Sequence, residues 1–488
     1  MPNALSRKNV WTAMPDGLRG PLGHVLSVFP HTWLLGPRFR RTVAFLEDAQ
    51  WWPADRALEY QLEMFRRLCT IAVAGSPYYR RVFAAAGLEP PDLTTLDAVR
   101  RLPLIDRHTV GNHLEEMRVV QSFRQVDAVS TGGTGGVPLH FYIGAGRSST
   151  EYAYLCAGWQ RAGFRPGLPL AVFRGRTVQP DANGLRHSYD AVLRHHYYSV
   201  FHLNDTNIDR YLTHVESLGP CYVHAYPSSA SALSRFIRRT SRRPPENVRG
   251  ILTESEILYP TQRALIEDAF GRPAFSSYGQ TEKVVAATGC EGSTLYHVWP
   301  TYGLFELVDD EGLPVTTPGQ RGEIVGTSFI NEVVPFIRYR TGDFATYVGD
   351  RCPSCGREHP ILTEILGHRT QECLVAHDGT RISWTAVNVH DDTFACVRQF
   401  QFVQEVPGKA TLCVVPGTGF TQANADRIEC RLQSRLGGLV TIEVTSVDAI
   451  HLSPVGKAIF VDQRIEGVHR ESEHTDLQEE SMVPWKAS

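Results

Sequence analysis

The chain has 488 residues, 42% of them hydrophobic, 21% charged and 10% aromatic, with a formal net charge of −3. That length exceeds one ordinary hydrophobic core and predicts at least two domains, and the near-balanced charge gives no global reason to bind nucleic acid or a membrane surface. No apolar run approaches a membrane span, and the opening MPNALSRKNVWTAMPDGLRG lacks the apolar core and small-residue cleavage site of a signal peptide, so a cytoplasmic protein is expected.

A helical segment is expected over about residues 1–115. Within it, residues 55–90 read as helix, because Leu58, Leu62, Phe65 and Cys69 recur at helical spacing with charged residues on the other faces. GLEPPDL then ends the pattern. Residues 128–142, AVSTGGTGGVPLHFY, carry a short β-favouring stretch into Ser130, Thr131, four glycines and Thr134. Glycines let successive N–H groups turn toward an anion without Cβ atoms in the way, so this is a candidate phosphate loop, although it lacks a lysine. From about 120 to 300, short apolar strands alternate with helical stretches, which predicts an α/β layered core. In RHHYYSV, His195 and His196 are adjacent on a strand and point to opposite faces, so the two cannot readily share one ion.

Between 303 and 348 the chain turns β-rich, with DDEG as a turn between strand-like runs. After 367 a small α+β unit is expected. It has a hairpin around Pro407-Gly408 and an amphipathic helix carrying Ala425, Ile428, Leu432 and Leu436 on one side, ended by Gly437. The polar, charge-dense residues 466–488 are expected to be disordered.

Most of the ten cysteines, such as Cys69, Cys156, Cys221, Cys396 and Cys413, are scattered singly in apolar segments and read as reduced, buried small hydrophobes. Four positions differ. Cys290 and His297 have six residues between them, and RCPSCGREHP carries Cys352 and Cys355 in a C-x2-C turn. Three thiols and an imidazole match the ligand set of tetrahedral Zn²⁺, and four protein ligands leave no open position, so the site would be structural.

Four further stretches belong together: the loop from Thr131; SSYGQTEK with Tyr278, Gly279, Thr281 and Glu282; IRYRTGDFA with Arg338, Arg340 and Asp343; and LSPVGKAIFV with Lys457. In this order the chain resembles the adenylate-forming superfamily of acyl-CoA synthetases, adenylation domains and luciferase, and within it the phenylacetate–CoA ligase and CapK-like branch. SPYYRRVFAAAGLEPPDLTTLDAVRRLPLIDR resembles that branch's N-terminal signature, and TGCEGSTLYHVWP with CPSCGRE resembles a Cys/His metal feature of some members.

The resemblance implies an α/β fold: a large multi-subdomain N-terminal region, 1–366, with a β-rich subdomain, and a small mobile α+β C-terminal lid, 367–465. It further implies that Thr131, Gly132, Gly133, Thr134, Gly135 and Gly136 wrap the ATP phosphates. Tyr278, beside Gly279, would lie against adenine, Thr281 would bond the α-phosphate and Glu282 would ligate Mg²⁺. Asp343 would take the ribose hydroxyls with Arg369 in support from the hinge, and Lys457 would bridge carboxylate and α-phosphate. Tyr226, Ser228, Ser229 and Glu256 fall where the family shapes its acyl pocket. Two departures stand out: Val137 replaces a loop lysine, and the hinge GHRTQE lacks an acidic residue carried by many relatives.

The leading expectation is an ATP-dependent ligase that adenylates a small carboxylic acid and passes it to coenzyme A or a carrier-protein pantetheine. An alternative keeps adenylation and delivers to an amine or hydroxyl in polysaccharide or natural-product assembly, and a third is a non-catalytic nucleotide-binding protein. The arginine-rich RFIRRTSRRPP reads as a solvated helix end rather than a site for coenzyme A phosphates or an acidic carrier face. The sequence names neither the acid nor the oligomeric state, a dimer being allowed.

Overall fold

The computed structural model describes residues 29–120, 122, 126–131, 139–367, 372–389, 391–451 and 460–465. Helices α1 (Gly36–Ala49), α2 (Ala54–Gly75), α3 (Pro77–Ala86) and α4 (Arg107–Met117) come first. Helix α2 buries Leu62, Phe65 and Cys69, as their spacing requires. The helix read over 55–90 is split at Ser76, whose extended backbone starts a new helix at Pro77 and whose hydroxyl accepts from the Tyr79 N–H.

Strands β1 (Val126–Ser130) and β2 (His140–Gly144) form an antiparallel hairpin ahead of α5 (Ser148–Trp159). The α/β core follows: β3 (Leu170–Phe173), β4 (His187–Asp190), β5 (His195–Tyr198), α6 (Asp205–Glu216), β6 (Cys221–Ala225), α7 (Pro227–Thr240), β7 (Val248–Glu254), α8 (Pro260–Phe270) and β8 (Ala274–Gly279). Strands β5, β3, β6, β7 and β8 pair in parallel, with β4 antiparallel at the edge. Strands β3 and β6 are buried along their full length, as a parallel sheet covered on both faces demands.

The expected β-rich stretch is present and continues the same sheet. Strands β9 (Ala286–Gly289), β10 (Tyr296–Val298), β11 (Gly303–Val308), β12 (Arg321–Ser328), β13 (Tyr339–Gly349) and β14 (Ile361–Leu366) complete twelve described strands in the order β11-β12-β13-β14-β10-β9-β8-β7-β6-β3-β5-β4.

The C-terminal unit contains β15 (Cys373–Val375), β16 (Arg381–Ser383), β17 (Val397–Val406), β18 (Lys409–Pro416), α9 (Gln422–Leu436), β19 (Thr441–Ser446) and β20 (Val461–Gln463). Its four-stranded sheet runs β19-β18-β17-β20. The hairpin closes around Pro407-Gly408 with Val406 opposite Lys409, and α9 buries Ala425, Ile428, Leu432 and Leu436 before stopping at left-handed Gly437. An apolar core runs from Phe173 and Tyr226 of the α/β region into Trp384, Ala386 and Phe400 of this unit. The two regions pack tightly at Gly175, where an added Cβ would stand 2.9 Å from the Ala386 Cα, and Arg435 donates to the Gly175 carbonyl at 2.8 Å. No described helix is long and apolar enough to cross a membrane. Cys69, Cys156 and Cys221 are buried as expected, whereas Cys396 and Cys413 are only partly covered. The expected tail, 466–488, lies outside the described residues.

Arg338, grouped above with the nucleotide motifs, belongs to the core instead. Its Nε and Nη2 donate to the two Glu306 oxygens at 3.0 and 2.9 Å, and its Nη1 donates to the carbonyls of Arg100 and Leu102. The two side chains are 5% and 8% exposed, so the pair rivets the 96–105 segment to β11. Arg340 pairs with Glu323. Removing one partner of a buried pair strands the other charge, so Arg338→Ala is expected to cost about 3–5 kcal/mol in urea unfolding, and Arg338→Met with Glu306→Leu to recover most of it.

Candidate active site

In a parallel sheet the carboxyl ends of the strands carry residues that leave the ladder together, and ligands bind in the crevice outside them. Here β3, β6, β7 and β8 end beside one cavity of about 1220 Å³, lined by Arg174, Tyr226, Glu254, Glu256, Tyr278 and Gly279. Thr281, Glu282, Asp343 and Thr131 line the same space. Eight residues read from the sequence, drawn from segments more than two hundred positions apart, therefore share one cavity.

Their mutual bonds fix the walls. The Tyr278 hydroxyl donates to Asp343 Oδ2 at 2.8 Å, linking β8 to β13. Burial first and the Asp343 charge second hold this phenol well above its ordinary range, so it remains a proton donor. The Tyr339 hydroxyl donates to Glu282 Oε1 at 3.3 Å. Across the cavity, the Leu139 N–H donates to Thr131 Oγ1 at 3.1 Å and the Thr131 N–H to the Leu139 carbonyl at 2.9 Å. The β1–β2 hairpin thus ties Leu139 to Thr131, and Thr131 lies on the cavity wall. Gly132, Gly133, Thr134, Gly135, Gly136, Val137, Arg369 and Lys457 lie outside the described residues.

Neither Ser228 nor Ser229 lines the cavity directly. Helix α7 aims its first turn at Glu256 instead. The Ser228 N–H donates to Glu256 Oε2 at 3.0 Å and its hydroxyl to Oε1 at 3.1 Å, while Ser229 is buried in the helix. The Ser383 hydroxyl of the C-terminal unit also donates to Glu256. Trp384, Thr385 and Asn388 bring that unit into the cavity wall.

Sequence reasoning did not single out the charged residues around these. Lys283 Nζ lies 2.6 Å from Glu151 Oε2, whose Oε1 accepts from the Tyr302 hydroxyl at 2.6 Å. Arg147 pairs with Asp127 at 2.7 Å, and Arg174 pairs with Glu254 beside His224. Burial, then the Arg174 charge, hold His224 well below the usual histidine range and so neutral. Lys283 closes the SSYGQTEK motif, but nothing in the sequence ties it to Glu151. The arginine run reads as expected: Arg238, Arg239 and Arg242 pair with Asp268, Asp205 and Asp209 at the surface.

A second constellation is not part of the cavity lining. Cys290 follows β9, His297 sits on β10, and Cys352 and Cys355 occupy the turn between β13 and β14, where Gly356 takes φ +79. The Cys290 and Cys352 sulfurs are 3.8 Å apart, as are Cys355 Sγ and His297 Nε2, and all four ligand atoms lie within 4.8 Å of one another. Sulfurs about 2.3 Å from a tetrahedral ion stand about 3.8 Å apart, so the spacing fits such an ion. His297 is fully buried and its Nδ1 lacks a partner among the described residues. Three thiolates and an imidazole around a dication leave one net negative charge, and the buried Arg161, packed over Trp299 at 4.7 Å, stands beside the cluster to offset it.

No family model matches the chain. A phenylacetate-coenzyme A ligase of Thermus thermophilus is 25% identical over 331 residues, covering 66% of this chain and 72% of the relative. Protein CapK of Staphylococcus aureus is 21% identical over 416 residues, covering 83% and 89%. The solved structure of 2-hydroxyisobutyryl-CoA ligase with 2-HIB-AMP and CoA in the thioesterification state superposes with a TM-score of 0.54 at 21% identity, covering 86% of this chain and 93% of that one. The fold is that of the adenylate-forming enzymes. The relatives carry the names of the branch that the motifs resemble, so that resemblance is borne out.

Burial raises the Glu256 carboxyl above the usual glutamate range, against the hydrogen bonds from Ser383 and Ser228. A carboxyl raised by folding contributes stability below its unfolded pKa and loses it as pH rises through the folded value. Glu256→Gln is therefore expected to gain stability relative to the parent as pH rises from roughly 4 to 7, read as urea midpoints at each pH.

Proposed function

We propose that the chain is an AMP-forming acid–thiol ligase, which activates a small carboxylic acid with ATP as an acyl-adenylate and transfers the acyl group to the thiol of coenzyme A or of a carrier-protein pantetheine. The observation that carries this reading is the convergence of Thr131, Tyr278, Thr281, Glu282 and Asp343 on one cavity at the carboxyl ends of parallel strands. Relatives named phenylacetate-coenzyme A ligase support it.

In this reading Asp343, oriented by the Tyr278 hydroxyl, accepts from the ribose hydroxyls, with Arg369 in support. Tyr278 and Gly279 face adenine, Thr281 bonds the α-phosphate, and the N–H groups of Gly132–Gly136 with Thr131 surround the phosphates. Glu282 is a hard oxygen donor on the cavity wall and is the residue that would hold Mg²⁺, which supplies neutralising charge for the phosphates when bound. Tyr226 and Glu256 border the acyl end.

Carboxylate attack on ATP brings anion to anion, so growing charge at the α-phosphate needs a cation. Lys283, Arg147 and Arg174 on the cavity wall each have a carboxylate partner already. The proposed cation is Lys457, a compact charge on a flexible stem, delivered by the small C-terminal unit acting as a lid on the large region. The proposal places the enzyme in the cytoplasm.

Lys457→Ala is expected to lower ATP–pyrophosphate exchange by roughly 10²-fold or more, and near-normal exchange would dismiss its role. Hydroxylamine trapping across a panel of carboxylic acids identifies the acid, and AMP release with thiol, amine or hydroxyl acceptors identifies the acceptor.

The Cys290, His297, Cys352 and Cys355 cluster is proposed as a structural zinc site. Its turn is tied to the N-terminal helices: Arg357 donates to Gln50 at 3.1 Å and stacks on Trp51, and Glu358 accepts from the Ala54 N–H at 2.9 Å. About one equivalent of zinc per chain is expected after extensive dialysis, and Cys355→Ser is expected to lose it with a lower Tm. A folded, active, zinc-free preparation would refute the assignment.

A further inference from the structure

His195 and His196 cannot share an ion, and the structure agrees. His195 is buried and bonds Tyr152 and Tyr197, while His196 emerges on the other face of β5. On that face it meets two histidines far from it in the pattern of the chain. In the antiparallel β4–β5 register His187 stands opposite Tyr198 and Tyr189 opposite His196, so His187 and His196 are diagonal neighbours. His187 Nε2 lies 3.0 Å from His196 Nδ1. Helix α6 packs on the same face and brings His214, whose ring centroid is 4.3 Å from that of His187. One nitrogen from each ring can be chosen so that all three lie within 4.8 Å of one another.

We propose that His187, His196 and His214 form a second metal site, for a borderline divalent transition ion such as Zn²⁺, Co²⁺ or Ni²⁺, with the remaining coordination position open to solvent. Imidazole suits these ions, and nitrogens about 2.0–2.1 Å from a tetrahedral ion stand about 3.3–3.4 Å apart, near the spacing of the His187–His196 pair. The supporting shell is present. The Tyr198 hydroxyl lies 2.7 Å from His214 Nδ1, so an Nδ1–H donated to it leaves Nε2 with its lone pair for an ion. Tyr189 packs on the His196 ring at 4.5 Å. Asp181 supplies a nearby negative charge. All three histidines remain partly exposed, which gives an ion a route in. An ion here clamps the edge hairpin β4–β5 to α6.

The test is a Co²⁺ titration of the tag-free full-length chain, dialysed so that the cysteine cluster keeps its zinc. One equivalent is expected to bind without any sulfur-to-cobalt charge-transfer band, and added Zn²⁺ is expected to displace it. The thiolate band reports the cysteine cluster separately, so each site is read on its own. His196→Gln and His214→Gln are each expected to lose the band-free equivalent while keeping the parent's near-ultraviolet circular dichroism. Absence of that equivalent in the parent, or its retention in both variants, would overturn the proposal. Should a variant not fold, the parent decides: with the cysteine cluster already zinc-loaded, one further equivalent of Zn²⁺ protects His187, His196 and His214 from diethyl pyrocarbonate if the site exists, and leaves their modification unchanged if it does not.

Discussion

Strand β8 is where the molecule changes from one style of sheet to another, pairing parallel with β7 and antiparallel with β9. Everything at the candidate active site depends on that reversal. Parallel pairing from β5 to β8 sends five strand ends to the same side, and the switch at β9 lets the sheet continue without a crossover helix covering them. The chain leaves the sheet just after Gly279, at this junction, and runs on to Glu282. There it meets β13, which returns from the far half of the same sheet, and the Tyr278–Asp343 hydrogen bond closes the gap. The cavity is a consequence of sheet topology before it is a collection of side chains.

Charge arranges what topology leaves open. Ions withdrawn from water persist where they are paired and hydrogen-bonded. Lys283 with Glu151 and Tyr302, Arg174 with Glu254, and Arg147 with Asp127 satisfy this in the cavity wall, and Arg338 with Glu306 satisfies it in the core beneath. Glu256 is the joint between the two units: the first turn of α7 and the Ser383 hydroxyl both bond its carboxylate. A wall built of matched pairs is stiff and nearly neutral, which suits a site whose working charge arrives from another segment.

Much of this was legible in the residues. The Cys290, His297, Cys352 and Cys355 cluster could be read because a tight C-x2-C turn has few other uses, and the fold brings those four atoms together. Tyr278 and Asp343 could be read because their motifs have fixed order. The periodicity of Leu62, Phe65 and Cys69 marked a buried face, yet could not show the break at Ser76, where a cap and a following proline override a continuous pattern. Arg338, grouped with Asp343 by sequence, sits instead in a left-handed bend just ahead of β13 and bonds inward to Glu306, which no local pattern announced. Ser228 holds the Glu256 carboxylate, a role that a hydroxyl near a strand end does not declare in sequence. The three histidines on β4, β5 and α6 carried no local signal, since only the β4–β5 register and the packing of α6 make them neighbours.

The position of β14 has a consequence for how the chain is made. Although it is the last strand of the large sheet to be synthesised, it sits between β13 and β10, so without it the ladder falls into two separate ribbons. A nascent chain stalled on the ribosome before residue 361 would hold the parallel ribbon and the β11–β13 ribbon with exposed edges facing each other and nothing to zip them. Vectorial folding therefore leaves the molecule vulnerable to edge-on association until a single six-residue strand emerges to seal it.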